Sequence, residues 1–320
     1  MVIDYRKINE KTISDRYPMP EINFVIDQLK GQHFFTTLDL ASGFHQIKMK
    51  DSDIAKTEFS INNGKYEFTR MLFGLKNAPA IFQRAIDDVL RDEIGKSGYV
   101  YIDDVIVFGK TLEEHLKNLN TIPRLLNKAN LKVQLDKSEF LHSEVEFLGY
   151  VIAENGIKPN DKKNQVNKAY PKPKTIKELR SSLGMMGYYR RFVKDFAKIA
   201  KPLTNLLRGE GNTSSSKKVQ LNSDEENCFQ KMKTLISSSD ILIYPDFNKH
   251  YILTTDASNF ATGAVLSQGE IGKDRPIYFA SRTLSPKPKR STLQRKRKCL
   301  PYFGPLGRSV IIYTEPNLNF

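Results

Sequence analysis

Cysteine is nearly absent from this chain of 320 residues: Cys228 and Cys299 are the only two. Two thiols exclude a disulfide framework and a four-cysteine zinc site, and they fit a reducing compartment. No apolar run reaches the roughly eighteen residues that a membrane-spanning helix needs, and no signal peptide pattern is present, so no membrane partner is predicted. Acidic residues are in deficit, 36 against 50 Lys and Arg, which leaves a formal net charge of +14. An excess of that size predicts a polyanionic partner, nucleic acid above all, with a generally basic soluble protein as the alternative. The length allows two or three domains.

The chain is organised around Tyr101-Ile102-Asp103-Asp104. Gly98-Tyr99-Val100 precede the acids and Val105-Ile106-Val107-Phe108-Gly109 follow them, so the segment reads as two short strands joined by a tight turn at the acidic pair. Adjacent carboxylates raise each other's pKa unless something positive neutralises them. A divalent cation with oxygen ligands would do so; a plain acidic turn is the competing reading. A second acid, Asp39, follows Phe34-Phe35-Thr36-Thr37-Leu38, which reads as a buried strand ending at or just after Asp39.

The remainder yields a coarse map. Met1 to Arg6 reads as strand-like. Apolar residues at 22, 25, 26 and 29 predict a helix ended by Gly31. Residues 59–68 read as a hairpin with Asn-Gly in its turn. A helix is predicted from Ala80, with Phe82, Ala85, Ile86, Val89 and Leu90 on one face. Another spans Leu112 to Leu126, where Pro123 should kink or shorten it. Glu146 to Ile152 reads as one strand running into a turn at Glu154-Asn155-Gly156. Pro171 to Lys174 is linker-like. Capping boxes are predicted at Thr175–Glu178 and Ser223–Glu226. Tyr188-Tyr189-Arg190-Arg191-Phe192 suits either stacking on nucleic acid or a core with surface arginines. Tyr251 to Thr255 reads as a strand ending in Asp256, with Gly263 to Ser267 as its antiparallel partner.

In order along the chain, Ile3 to Asn9, Leu38 to Ile47, Phe73 to Gln83, Tyr101 to Asp104, Glu144 to Gly149, Leu183-Gly184, Tyr188 to Phe192, Thr255 to Ser258 and Gly263 to Gln268 resemble the reverse transcriptase and ribonuclease H region of gypsy-type LTR retrotransposon Pol polyproteins. The resemblance implies an α+β fold: a palm-fingers-thumb polymerase with an antiparallel palm sheet and helices, then an incomplete ribonuclease H-like α/β domain. The implied boundaries are 1–153 for fingers and palm, 154–245 for thumb and connection, and 246–320 for the ribonuclease H-like part.

By the same resemblance Asp39, Asp103 and Asp104 are the catalytic acids and hold two Mg²⁺ ions, with Mn²⁺ as a substitute. Leu40, Ala41, Ser42, Gly43, Phe44, Phe73 and Gly74 contact the incoming deoxynucleoside triphosphate. The backbone amides of 40–44 cradle its phosphates, and Phe44 is the steric gate against a ribose 2′-hydroxyl. The implied partners are an RNA template, a DNA primer and their RNA–DNA hybrid. Departures accompany the match. The family's front fingers strands would precede Ile3. Asp256 matches the first ribonuclease H acid, but no Glu occurs between Ile271 and Thr314, where Lys and Arg are dense, and Glu315 stands where the family has Asp. These departures predict a degenerate ribonuclease H site of Asp256 and Glu315, a poorly packed tail after about Ser285 and lost ribonuclease H activity. A catalytically dead, basic nucleic-acid-binding remnant is the alternative for the whole chain.

Overall fold

The structure is a computed structural model and describes residues 3–160, 169–207, 217–238, 241–258, 261–284 and 308–313. The chain forms two compact units. The first holds residues 1–148 and 152–154, the second residues 149–151 and 155–320. The second therefore joins the segments expected as thumb and connection with those expected as ribonuclease H-like.

The first unit is built on a four-stranded antiparallel sheet in the order β4 (Gly98–Tyr101), β5 (Asp104–Gly109), β1 (Phe34–Leu40), β6 (Val133–His142). Strand residues alternate faces. Leu38, Leu40, Val105 and Val107 therefore share one face and pack with helices α4 (Ala78–Leu90) and α5 (Leu112–Lys128) through Phe82, Ile86, Leu90, Ile122 and Leu126. Asp39 and Asp104 fall on the opposite parity. Before the sheet lie α1 (Arg6–Lys11) and α2 (Ile22–Asp27). After β1 come the short helix α3 (Asp51–Ile54) and a hairpin of β2 (Phe59–Ile61) and β3 (Gly64–Tyr66).

Several expectations change in detail. The strand-like opening is helical from Arg6, its Asp4 carboxylate taking the Arg6 backbone amide and guanidinium. The hairpin loop is Asn62-Asn63, since Ile61 pairs with Gly64, and Asn62 takes the positive φ the turn needs. Helix α5 is not shortened at Pro123 but runs five residues beyond it. The cost of about 3 kcal/mol is offset by burying Ile122 and Leu126, about 1.5–3 kcal/mol each. The strand expected over 146–152 is two strands, β7 (Glu144–Phe147) and β8 (Tyr150–Ala153), because Leu148 and Gly149 both have positive φ. A second turn, at Glu154-Asn155 where the sequence suggested one, leads from β8 into β9 (Gly156–Pro159).

In the second unit α6 (Ile176–Tyr188) begins at Thr175, whose hydroxyl accepts from the Glu178 amide; the Glu178 carboxylate reaches Lys174 rather than closing the box on Thr175. Two short helices follow, α7 (Phe196–Ile199) and α8 (Lys201–Leu206). The next capping box is shifted by one residue. Asn222 and Glu225 exchange side-chain and backbone hydrogen bonds, each 2.9 Å, and open α9 (Ser223–Ser237). A second four-stranded antiparallel sheet has the order β12 (Arg275–Thr283), β11 (Ala261–Gln268), β10 (Tyr251–Ala257), β13 (Arg308–Tyr313). Of the two readings of Tyr188 to Phe192, the core prevails for Tyr189, Arg191 and Phe192, all buried. Tyr150 stacks on Tyr188 with centroids 5.2 Å apart, and the Arg191 guanidinium lies 5.2 Å over Tyr278. Only Tyr188, 40% exposed, and Arg190 keep a surface that could meet a ligand.

Candidate active site

The three acids expected at the site come together in the first unit. β4 and β5 close with Tyr101 opposite Asp104, so the turn residues are Ile102 and Asp103 and the turn sits one residue earlier than the sequence suggested. Asp104 opens β5 and stands directly across from Asp39 in β1. Directly paired residues project to the same face, so the two carboxylates are neighbours there. The carbonyl of Asp103 accepts from the Leu40 amide at 3.1 Å, which ties the turn to the end of β1.

Asp103 is strongly perturbed. Its Oδ1 is buried and has no hydrogen-bond partner. Burial foremost, then the charges of Asp104 and Asp39, push its pKa up to about 6. Gly43 presses on the same carboxylate: a β-carbon there would lie 1.9 Å from Oδ1. Among the described residues no three Asp, Glu, His or Cys side chains are arranged as a group that could by itself hold a metal ion. What the fold offers is a carboxylate with one buried oxygen, flanked by two further acids.

The residues implied for the nucleotide divide into two sets. Leu40 and Ala41 do not have amides to spare: Leu40 donates to Asp103 and Ala41 donates to the Lys132 carbonyl at 2.9 Å. That corrects the expected phosphate cradle. Ser42, Gly43 and Phe44 remain at the start of a 3₁₀ turn over Gly43–Gln46, where first-turn amides have no partner within the helix. Phe44 is nearly buried, its ring 4.9 Å from Phe73 and 5.5 Å from Phe82. Phe73 is half-exposed and also meets His45, whose Nδ1 pairs with the Met71 carbonyl at 3.0 Å. Gly74 has φ +88°. Its carbonyl accepts from Asn9 Nδ2, and Asn9 Oδ1 accepts from the Lys76 amide, each at 2.8 Å, so α1 fixes the loop that carries Phe73 and Gly74.

Two glutamines at the site escaped the sequence reading. Gln46 spans the Ala41 and Lys132 carbonyls and the Lys132 amide. Gln83 is fully buried on α4 and accepts from the Ile102 amide at 2.7 Å. The signal for Gln83 was available: it lies three residues before Ile86 and seven before Leu90, a polar residue on the apolar stripe.

In the second unit Asp256 is exposed on β10, paired in register with Gly263 on one side and Arg308 on the other. Glu315 and the segment after Ser285, expected as a second acid and a loose tail, lie outside the described residues apart from 308–313.

Residues 1–152 match the family described as reverse transcriptase (RNA-dependent DNA polymerase), and residues 221–302 match the RNase H-like domain found in reverse transcriptase. The chain is 54% identical over 290 residues to the retrovirus-related Pol polyprotein from transposon opus of Drosophila melanogaster, covering 89% of this chain and 29% of that protein. It is 46% identical over 314 residues to the Pol polyprotein from transposon gypsy of the same organism, covering 96% and 30%. The chain thus spans under a third of these relatives. Among solved structures, the foamy viral protease-reverse transcriptase in complex with RNA/DNA hybrid superposes with a TM-score of 0.77 at 27% identity, over 93% of this chain and 40% of that one. A form of the same viral protein in complex with double-stranded DNA gives a TM-score of 0.79 at 26% identity, over 94% and 52%.

Proposed function

Because the chain belongs to the reverse transcriptase family of gypsy-type Pol polyproteins, we propose that its first unit adds deoxynucleotides to a DNA primer on an RNA template, with Asp39, Asp103 and Asp104 as the acids of the site. The observation that carries this reading is the Asp103 carboxylate, buried on one oxygen without a partner and crowded by two further acids. Such an arrangement is costly unless a cation completes it. Asp39, Asp103 and Asp104 would hold a divalent cation, and carboxylate oxygens suit Mg²⁺, which keeps water and phosphate oxygens among its ligands. Two such ions, Mg²⁺ or Mn²⁺, supply Lewis-acid chemistry, lowering the pKa of a primer 3′-hydroxyl and offsetting triphosphate charge.

The chain's own residues do the rest. Gly43 leaves room for the Asp103 carboxylate. The amides of Ser42, Gly43 and Phe44, at the start of the 3₁₀ turn, would donate to phosphate oxygens. Phe44, braced by Phe73 and Phe82, would act as the gate against a ribose 2′-hydroxyl. The +14 net charge supports a nucleic-acid partner, as do relatives solved with RNA/DNA hybrid and double-stranded DNA. Binding of that kind weakens steeply with salt.

Primer extension by the purified protein, with Mg²⁺, an RNA template and a labelled DNA primer, tests the reading. Extension is expected in the wild type and lost in Asp103→Asn, with duplex binding retained; Phe44→Ala is expected to accept ribonucleotides. Duplex binding without any extension in the wild type would favour the alternative, a remnant that only binds nucleic acid.

A further inference from the structure

The turn that carries Asp103 is held under opposing demands. Ile102 has φ +53°, a left-handed conformation that β-branched residues avoid. Asp39 and Asp104 flank Asp103, so like charge favours opening the turn. Something must hold it shut, and the Leu40 contact secures only the carbonyl of Asp103.

The second hold is Gln83. Its Oε1 accepts from the Ile102 amide at 2.7 Å, and its Nε2 donates to Asp87 Oδ1 at 2.8 Å and toward the Val100 carbonyl at 3.4 Å. The amide cannot be reversed. An N–H can only donate, so it must meet Oε1, and an ionised carboxylate can only accept, so it must meet Nε2. Asp87 is fixed in turn by the Tyr17 hydroxyl, which donates to Oδ2 at 2.6 Å. Arg84 lies 4.9 Å over the Tyr17 ring and pairs with Asp15 at 2.6 Å. A hydrogen-bonded line thus runs from the segment before α2 through α4 to the catalytic turn: Tyr17, Asp87, Gln83, Ile102.

We infer that Gln83 is a positioning residue, held in one amide orientation by Asp87 and Tyr17, that keeps Ile102 in its left-handed conformation and so aims the Asp103 carboxylate. This deepens the polymerase reading and rests on it for the catalytic consequence, but the clamp itself is measurable without catalysis.

The test compares the wild type with Gln83→Leu, Tyr17→Phe and Gln83→Leu combined with Ile102→Gly. The first readout is amide hydrogen exchange at residue 102 in metal-free protein. Exchange should quicken by about tenfold or more in Gln83→Leu and by less in Tyr17→Phe, as expected for loss of one hydrogen bond. The second is primer extension. Gln83→Leu should lower kcat by about 10²-fold, the scale of a small misplacement, with little change in KM for the deoxynucleotide. Adding Ile102→Gly should restore much of the kcat, because glycine adopts positive φ without strain; a residue needed only for folding would not be rescued by introducing glycine. Unchanged exchange at residue 102 in Gln83→Leu overturns the inference, whatever the activity. If Gln83→Leu fails to fold, unchanged exchange in Tyr17→Phe overturns it instead. Faster exchange in a protein whose wild type extends no primer would sustain the clamp and sink the polymerase reading.

Discussion

Gly43 stands so close to Asp103 that a β-carbon on it would lie 1.9 Å from Asp103 Oδ1 and 2.7 Å from Asp103 Cγ. Its φ is outside the left-handed range, so alanine fits the backbone, and the contact with Asp103 is what changes. The Phe82 ring would lie 3.1 Å from the same β-carbon, a lesser crowding, so the carboxylate is the group that must move. Gly43→Ala is therefore expected to reduce primer extension by about 10²-fold with duplex binding intact. Single-turnover extension and a binding titration on the same protein check it; wild-type rates would mean the carboxylate has slack that the structure does not show.

Asp103 makes the metal-free protein lose stability as the pH rises from about 4 through about 6. Its folded pKa of about 6 lies above the ordinary 3.8, so the fold binds this proton more tightly than the unfolded chain does. Its stabilising contribution is complete below about pH 4 and is lost as the pH rises through about 6. Asp103→Asn removes the burden. At about pH 8 in chelator, the variant should be more stable than the wild type by about 1–3 kcal/mol while extending no primer. Urea denaturation reads the difference, and a less stable variant would contradict the account of the buried charge.

The acids and the strands that carry them were legible because buried strands leave a strong signature: Phe34 to Leu38 and Val105 to Phe108 are apolar and β-branched, and an Asp at the end of each run is conspicuous. The turn register was not legible. Nothing local says that Ile102 takes positive φ; that depends on Gln83, nineteen residues earlier in sequence. The same holds for Leu148, whose positive φ splits an apparently continuous strand. Nor could the sequence say that the Leu40 and Ala41 amides are consumed by Asp103 and Lys132. Residues 188–192 were ambiguous because aromatics and arginines suit a duplex and a core equally well; Tyr150 and Tyr278, far away in sequence, decide for the core.

His115 gives the first unit the opposite sensitivity. It is fully buried on α5, with Nε2 2.9 Å from the Thr36 hydroxyl, which itself accepts from the Leu141 amide. The ring and the hydroxyl share a hydrogen bond in either tautomer of the imidazole. Burial lowers the pKa of His115, against a smaller opposite pull from the Phe108 carbonyl. A folded pKa below the unfolded value of about 6.5 means that stability is present above that pH and is lost as the pH falls below it. In an Asp103→Asn background, which removes the competing trend, the urea midpoint should drop on acidification from about pH 7 to about pH 5. The drop should shrink in His115→Gln. An identical slope with and without the imidazole would assign the acid sensitivity to other groups.

The second unit should not cleave the RNA strand of a hybrid, although it matches the RNase H-like family. That chemistry needs a cluster of carboxylates to hold metal ions around the scissile phosphate. Asp256 contributes one acid, but its register neighbours are Gly263 and Arg308, neither of which can ligate a cation. Asp195 brings a carboxylate against Gly263, which leaves the described residues with two acids near β10 and β11 rather than a cluster of three. The stretch from Ile271 to Thr314 contains no Glu and is rich in Lys and Arg. A hybrid labelled on its RNA strand, incubated with Mg²⁺ or Mn²⁺, should remain intact. Cleavage that disappears in Asp256→Asn would overturn this, and its response to Asp195→Asn would then tell whether that second carboxylate completes the site.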